Sequence, residues 1–241
     1  MAHISSNFRQ FAYFDQQLNF PEWRGKRILD FGGNAGNFLK EAGSRIDPSD
    51  YCCLDLIESA IRTGQTRFPD AKWIFYNRHN SQYNPVGVID LPIPDLGQRF
   101  DYILAYSVFT HTHQYEMVDL VGQLSGILKP GGKLLFTFID QHHVASDGAS
   151  PIPNILWRLR SRMRVSPHLD IESLAQISLR HEHCMLLNDE IYDSESTVPD
   201  CGKIELQEAF CTTARMKRLF PSAMILAPTS NERQHCCLLT A

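Results

Sequence analysis

Short apolar runs alternate with amphipathic stretches over much of the chain. Compact apolar runs predict five buried strands, at 27–31, 51–54, 72–76, 102–105 and 133–139. Between them, apolar residues return at helical spacing, most regularly at Met117, Leu120, Val121 and Leu124. Strands that alternate with helices in this way are typical of a parallel sheet with helices on both faces. The pattern therefore predicts an α/β, doubly wound fold.

The alternation changes at both ends of this region. We interpret the chain as a single domain over 1–241 with four parts: an N-terminal helical lid at 1–24, a ligand-binding core at 25–140, a cap insertion at 141–200, and the last helix and strands at 201–241. Apolar spacing predicts the lid helix at 7–20 and the last helix at 204–219, and two short strands near 223–228 and 234–240.

Composition narrows the class of protein. The 241 residues are 43% hydrophobic and 21% charged, which is typical of a globular chain. The net charge of −4 argues against a nucleic-acid partner, and no apolar run approaches the ~20 residues of a membrane span. The seven cysteines form no CxxC pair, and the first residues do not resemble a signal peptide. We therefore expect a cytoplasmic protein, and we find no signal for an oligomeric state.

A glycine-rich loop follows the first strand and opens a helix. Its sequence is Asp30-Phe31-Gly32-Gly33-Asn34-Ala35-Gly36. Glycines in such a loop let a ligand approach the backbone closely. The spacing differs from the G-x-G-x-x-G that binds a pyrophosphate, and the charge of Asp30 would repel one. A ligand with cationic groups and no phosphate, such as S-adenosylmethionine (SAM), fits this loop better than a dinucleotide.

Four motifs in order resemble those of the class I, Rossmann-like SAM-dependent methyltransferases. The glycine loop matches at Asp30, Gly32 and Gly36, with Asn34 in place of the middle glycine. Asp55 ends the second strand, 19 residues after Gly36, where ribose-binding acids occur. The segment 100–111 is similar to the family's fourth-strand motif, and 128–136 is similar to the turn into its fifth strand.

The resemblance implies a fold and a cofactor site. It implies a seven-stranded sheet of order 3-2-1-4-5-7-6 with the last pairing antiparallel, and SAM as the cofactor. It implies that Asp55 holds the ribose hydroxyls and that Leu56 packs on the adenine. The remaining cofactor-binding residues would be Asp30, Phe31, Gly32, Gly33, Asn34, Gly36, Ser107 and Val108.

The loop after the third strand departs from the family pattern. Relatives often have an aspartate there that accepts a hydrogen bond from the adenine amino group, whereas this chain has amides. Asn77 or Asn80 could replace it, because an amide carbonyl is also an acceptor. Alternatively, both side chains only brace a long polar loop over 77–99.

His111 is the candidate catalytic residue. It follows the fourth strand, where donor and acceptor should meet, and neutral histidine is the usual general base near neutral pH. Alternatively, His111 is a structural histidine that bonds neighbouring backbone. We expect His113, at the start of the next helix, to face solvent.

Substrate contacts are predicted at Tyr106, His142, His143 and Arg158. His142 and His143 follow the fifth strand on the same side of the sheet, and Arg158 begins an arginine-rich stretch of the cap. Arginine binds carboxylate or phosphate in a bidentate manner, although these arginines could equally cover a solvated helix. We expect no metal, because the metal-dependent catechol type has an aspartate where the fourth-strand motif here reads Tyr-Ser-Val.

These residues predict methyl transfer from SAM to a small molecule. We expect an O-methyltransferase of specialised metabolism. The alternatives are N- or C-methylation of a small molecule or peptide, and a non-catalytic SAM-binding module. A nicotinamide-dependent oxidoreductase is disfavoured by the charge of Asp30 in the glycine loop.

Overall fold

A seven-stranded sheet forms the centre of the protein. The computed structural model describes residues 10–143, 170–187, 190–193, 207–229 and 234–241. The strands of the central sheet are Ile28–Phe31 (β1), Tyr51–Asp55 (β2), Lys72–Phe75 (β3), Phe100–Ala105 (β4), Leu128–Phe138 (β5), Met224–Leu226 (β9) and His235–Thr240 (β10). A second sheet contains His183–Leu187 (β6), Glu190–Asp193 (β7) and Gln207–Cys211 (β8). The helices are Gln10–Gln17 (α1), Asn37–Ala42 (α2), Glu58–Arg67 (α3), Gln114–Gly126 (α4), Ile171–Ser178 (α5) and Thr213–Leu219 (α6).

The strand order confirms the predicted topology. The order of strands in the central sheet is β3-β2-β1-β4-β5-β10-β9, and the first five strands in this order are parallel to one another. β10 pairs antiparallel with both β5 and β9. The carboxyl ends of β1, β2 and β4 therefore meet at one edge of the sheet, which is where doubly wound folds bind ligands.

The sheet is buried on both faces. Leu29, Cys52 and Leu120 belong to a hydrophobic cluster on one face, and α4 packs there. Cys53 and Phe14 belong to the cluster on the other face, where α1 packs. Cys52 and Cys53 point to opposite faces because successive strand residues alternate. The six cysteines among the described residues are buried and form no disulfide.

The lid helix ends at Gln17, before the predicted end at residue 20, and residues 1–9 lie outside the described part of the chain. Asp15 of this helix is 5% exposed and accepts hydrogen bonds from the Trp23 indole at 2.8 Å and from Arg45 at 2.5 Å. Tyr13 donates to the backbone carbonyl of Gln234 at 2.9 Å, so α1 is also tied to the start of β10.

The predicted helix over 204–219 is wrong in its first half. Residues 207–211 form the strand β8, and α6 begins only at Thr213. Thr212 caps the helix by accepting a hydrogen bond from the Arg215 backbone N–H at 3.0 Å. The strand forms because β6 pairs with it from His183 to Leu187, a partner that local periodicity does not reveal.

The small sheet lies beside the carboxyl ends of β4 and β5. The Cys211 N–H donates to the Ile139 carbonyl at 2.9 Å, and His183 Nδ1 lies 3.1 Å from Gln114 Oε1 at the start of α4. This sheet includes part of the predicted cap. The rest of that cap, 144–169, 188–189 and 194–200, and with it Arg158, lies outside the described residues. Across the described ranges, every helix is too short or too polar to cross a membrane.

Candidate functional site

A cavity of about 330 Å³ opens at the carboxyl ends of β1, β2 and β4. Ten of the predicted site residues line it. Those that end or follow β1 and β2 are Phe31, Gly32, Asn34, Asp55 and Leu56. Those that follow β3 and β4 are Asn80, Tyr106, Ser107, Val108 and His111. Predicted site residues that do not line this cavity are Asp30, Gly33, Gly36, Asn77, His142 and His143.

The glycine loop has no room for a side chain at Gly32 or at Gly36. Gly32 has a φ of +77°, and a Cβ there would lie 2.4 Å from Val108 Cγ2. Gly36 has a φ of +75°, and a Cβ there would lie 2.6 Å from the Trp73 ring. Asn34, which replaces the middle glycine, has a φ of +52°, a conformation that asparagine tolerates better than most residues. The substitution therefore preserves the left-handed backbone of the loop.

Asp30 lies beneath this loop and is 3% exposed. A Cβ on Gly33 would lie 2.4 Å from its Oδ2, so the loop rests directly on the carboxyl group. The Tyr51 hydroxyl donates to the same oxygen at 2.6 Å. Burial raises the pKa of Asp30 to about 7, and the Tyr51 hydrogen bond opposes that rise. A cation bound above the loop would favour the ionised form.

Asp55 presents a fixed carboxylate to the cavity. Its Oδ2 accepts a hydrogen bond from the Asn34 N–H at 2.7 Å, and its Oδ1 accepts one from the Ile57 N–H at 2.7 Å. Burial raises the pKa of Asp55, while these backbone hydrogen bonds lower it. Because a carboxylate oxygen has more than one lone pair, both oxygens can still accept from a ligand hydroxyl.

Ser107 turns the chain at the end of β4. Its φ is +58°, which is strained for serine. Its N–H donates to Thr137 Oγ1 at 2.7 Å, and its Oγ accepts from Gln234 Nε2 at 3.1 Å. Thr137 in turn donates to Gln234 Oε1 at 2.6 Å. Sequence reasoning missed Thr137 and Gln234, because their link to Ser107 exists only where β5 and β10 pair beside β4.

His111 lies on a short 3₁₀ turn, Phe109–His111, in the cavity wall. Its Nε2 is 3.4 Å from the Tyr83 hydroxyl, and the two rings are nearly perpendicular, with centroids 5.2 Å apart. Tyr83 also lines the cavity and was not predicted. The site therefore places an imidazole and a phenol side by side.

The two amides after β3 brace their loop. Asn80 donates from Nδ2 to the His111 carbonyl at 2.9 Å, and its Oδ1 accepts from the backbone N–H groups of Gln82 and Tyr83 at 3.1 Å. The Oδ1 of Asn77 accepts from Asn84 Nδ2 at 3.0 Å, and Asn77 is not in the cavity wall. The side-chain amide groups of both residues are thus engaged within the protein.

Two charged residues in the cavity wall were missed. Arg78 is 3% exposed, donates to the Leu91 carbonyl at 2.8 Å and lies 3.4 Å from the carboxylates of Asp90 and Asp119. Glu116, on the first turn of α4, accepts from the His113 N–H at 3.0 Å through Oε2. Burial raises the pKa of Glu116, while the His113 hydrogen bond and nearby Arg78 lower it.

His113 does not face solvent, contrary to the prediction. It is 4% exposed, its ring stacks on Tyr115, and neither ring nitrogen has a hydrogen-bond partner among the described residues. Burial lowers its pKa, so the ring is neutral at pH 7. His113 precedes α4, and its backbone N–H donates to Glu116 in the first turn of that helix.

His142 and His143 lie at the end of β5, away from the cavity wall. Asp140 accepts from the His142 N–H at 2.7 Å, and the His143 ring meets that of His235 at 5.0 Å. Within the part of the chain that the structure describes, no three side chains of the metal-binding types gather into a metal site.

Comparison with known proteins agrees with this architecture. A family model described as a methyltransferase domain matches residues 29–134. The ubiquinone/menaquinone biosynthesis C-methyltransferase UbiE of Bordetella avium is 32% identical over 116 residues, which cover 46% of this chain and 40% of the relative. The chain thus matches less than half the length of this curated relative.

Solved structures share the fold at low sequence identity. An S-adenosylmethionine-dependent methyltransferase from Clostridium acetobutylicum has a TM-score of 0.51 at 10% identity. The match covers 96% of this chain and 90% of the Clostridium chain. The DhpI–SAH complex has a TM-score of 0.52 at 11% identity, covering 92% and 79%. Residues 29–134 thus match the methyltransferase-domain family model, and the solved structures share the fold of the chain.

Proposed function

We propose that this protein transfers a methyl group from SAM to a small molecule bound beside His111. The observation that carries the proposal is the Asp55 carboxylate. Two backbone N–H groups hold it in the wall of a cavity whose glycine loop has no room for a side chain at Gly32 or Gly36. This pairing suits a nucleoside whose ribose hydroxyls donate to the carboxylate while the rest of the ligand lies against bare backbone.

The charges around the cavity suit SAM. The wall contains the carboxyl groups of Asp55 and Glu116, and Asp30 lies beneath the glycine loop. The cationic Arg78 in the wall already faces two carboxylates. SAM carries an ammonium and a sulfonium, and when bound it supplies an electrophilic methyl group. A pocket with these acids favours such a cation over a pyrophosphate, which would be repelled.

The chain's own residues would position the acceptor and move its proton. Tyr106, Tyr83 and His111 line the same cavity as Ser107, and Val108 contacts the glycine loop at Gly32. An acceptor hydroxyl held there could lose its proton to the His111 imidazole as the new bond forms, which is general base catalysis. The buried walls would hold the nucleophile in line with the methyl group, and much of the acceleration would come from this orientation.

Oxygen is the accepting atom that we propose, because a general base is useful when a hydroxyl proton must leave. Carbon is the alternative, and one observation favours it: the curated relative UbiE is named a C-methyltransferase. Specialised metabolism remains the proposed context for an O-methylated product. Incubation with SAM carrying a CD₃ group and a panel of hydroxylated aromatic acceptors would decide. Product NMR distinguishes a methyl ether from a ring methyl group.

Binding of S-adenosylhomocysteine (SAH) tests the cofactor assignment directly. Asp55→Ala removes two hydrogen bonds to a charged acceptor, so calorimetry should show at least ~10-fold weaker SAH binding. Asp70→Ala, which removes an exposed carboxyl group outside the cavity, is the matched control and should bind as the parent does. Equal affinity in a folded Asp55→Ala protein would reject the assignment. SAH binding without methyl transfer to any acceptor would favour the non-catalytic SAM-binding alternative.

A further inference from the structure

The purine end of the proposed cofactor lacks an obvious partner. If Asp55 holds the ribose, the base lies farther along the cavity, between Leu56 and the residues that follow β3. The amides of Asn77 and Asn80 are engaged within their own loop, and Asn77 is outside the wall. The Asn80 oxygen already accepts two hydrogen bonds, so another element is a better source of an acceptor for the purine amino group.

Glu116 is placed to be that acceptor. It lies in the cavity wall on the first turn of α4, and Leu120, one turn further on, lines the same cavity. Its Oε2 is occupied by the His113 N–H. Its Oε1 accepts no hydrogen bond from any described residue, and this atom is accessible rather than enclosed by the protein. The structure thus leaves one carboxylate oxygen open to a ligand.

The fixed geometry of Glu116 makes that oxygen a specific acceptor. The His113 hydrogen bond orients the carboxylate, and this bond and nearby Arg78 oppose the rise in pKa that burial causes. Apolar Leu56 and Leu120 line the same cavity and offer surfaces for the flat faces of a purine. A carboxylate oxygen accepts hydrogen bonds and donates none, so it matches an amino group and opposes a carbonyl oxygen.

We propose that Glu116 selects a 6-aminopurine cofactor by accepting a hydrogen bond from its amino group. The proposal rests on the proposed function, since it assumes that the cavity holds SAM. It assigns base specificity to helix α4, whereas the sequence resemblance pointed to the loop after β3. Glu116 is therefore a specificity-determining residue that acts on the cofactor and has no part in the methyl transfer itself.

The substitution Glu116→Gln reverses the hydrogen-bonding character of this position. The glutamine carbonyl can still accept from the His113 N–H, so the helix cap is kept. Its NH₂ group then occupies the place of the open oxygen. An acceptor in the cavity wall becomes a donor, which suits a purine with a carbonyl oxygen at position 6.

The experiment compares two probes by calorimetry, SAH and S-inosylhomocysteine, which has a carbonyl oxygen in place of the amino group. The parent should bind SAH ~100-fold more tightly than the inosyl compound, because sites built for a hydrogen bond reject a mismatched partner strongly. Glu116→Gln should weaken SAH binding ~10-fold and tighten inosyl binding, so that the ratio falls to about 1 or below.

Asp119→Asn is the matched control. Asp119 lies on the same helix and faces Arg78 at 3.4 Å, but it does not line the cavity. Its neutralisation should leave the SAH-to-inosyl ratio within about 2-fold of the parent, since it changes the charge around Arg78 without changing the ligand contact.

Each outcome bears on a different claim. A parent that binds both probes equally would overturn the role of Glu116 without any variant being made. A parent that prefers SAH, with a Glu116→Gln ratio equal to that of the parent, would also overturn it while leaving the cofactor site in place. A parent that binds neither probe would reject the proposed function, and the Glu116 assignment with it.

Discussion

Replacing Asp30 by asparagine should change how the stability of the protein depends on pH. The carboxyl group is buried under the glycine loop, and its pKa rises from 3.8 to about 7 on folding. Asparagine has nearly the same shape, and its carbonyl can accept the Tyr51 hydrogen bond. The substitution therefore removes one titrating group while keeping the local packing.

The sign follows from linkage. Between pH 4 and pH 7 the folded state retains a proton on Asp30 that the unfolded state releases, so stability falls as the pH rises. The loss is about 1.4 kcal/mol for each pH unit in this window. When the pH rises from 5 to 8, the titration of Asp30 should lower the free energy of unfolding of the parent by on the order of 2–3 kcal/mol. Asp30→Asn lacks this group and should not show that loss.

Urea unfolding followed by tryptophan fluorescence at pH 5 and pH 8 measures this difference. Other titrating groups act on both proteins and cancel, and a constant cost of burying the amide does not vary with pH. Relative to the parent, Asp30→Asn should be more stable at pH 8 than at pH 5 by on the order of 2–3 kcal/mol. Asp70→Asn, at an exposed position, should show the same difference from the parent at both pH values.

A stability difference that does not change with pH would refute the reasoning. Asp30 would then be ionised throughout this range in the folded protein. The carboxylate would need stronger compensation for its burial than the Tyr51 hydroxyl supplies.

Three further predictions concern catalysis, helix packing and the network behind the site. His111→Ala should lower kcat by ~10²–10⁴ with SAH affinity unchanged, and a loss below ~10-fold would return His111 to a structural role. Gly64→Ala should destabilise the protein despite its higher helix propensity, because the Cβ would lie 2.2 Å from the Trp73 ring. Gly122→Ala, where nothing lies within 4 Å, should stabilise it by ~1 kcal/mol in urea unfolding, and equal effects at the two glycines would contradict this account. Gln234→Leu should remove the acceptor of the buried Thr137 hydroxyl proton and cost ~1–3 kcal/mol in the same assay, and an unchanged stability would show that this network is dispensable.

The amino-acid pattern and the motifs together predict the architecture of the central sheet. Compact apolar runs predict the strands, and apolar residues at a spacing of three to four predict the helices, because each spacing is typical of one secondary structure. Adjacent Cys52 and Cys53 lie in clusters on opposite faces, as strand geometry requires. The family motifs supplied the strand order, which local patterns do not contain, and the order β3-β2-β1-β4-β5-β10-β9 confirms it.

The sequence also located most of the cavity. Ten predicted residues line it because motif residues at the ends of neighbouring parallel strands must converge. The predicted roles of His111 and Asp55 stay predictions until they are tested by substitution. The prediction for Arg158 lies outside the described residues.

Which polar groups remain available to a ligand depends on how the elements pack together. Asn77 and Asn80 are suitable adenine acceptors by residue type, yet internal hydrogen bonds engage both amides. Glu116 is unremarkable in the sequence as a helix-capping acid, yet the packing of α4 places it in the cavity wall. Hydrogen bonds between residues far apart in the chain depend on which elements pack together, and that information is absent from any local pattern.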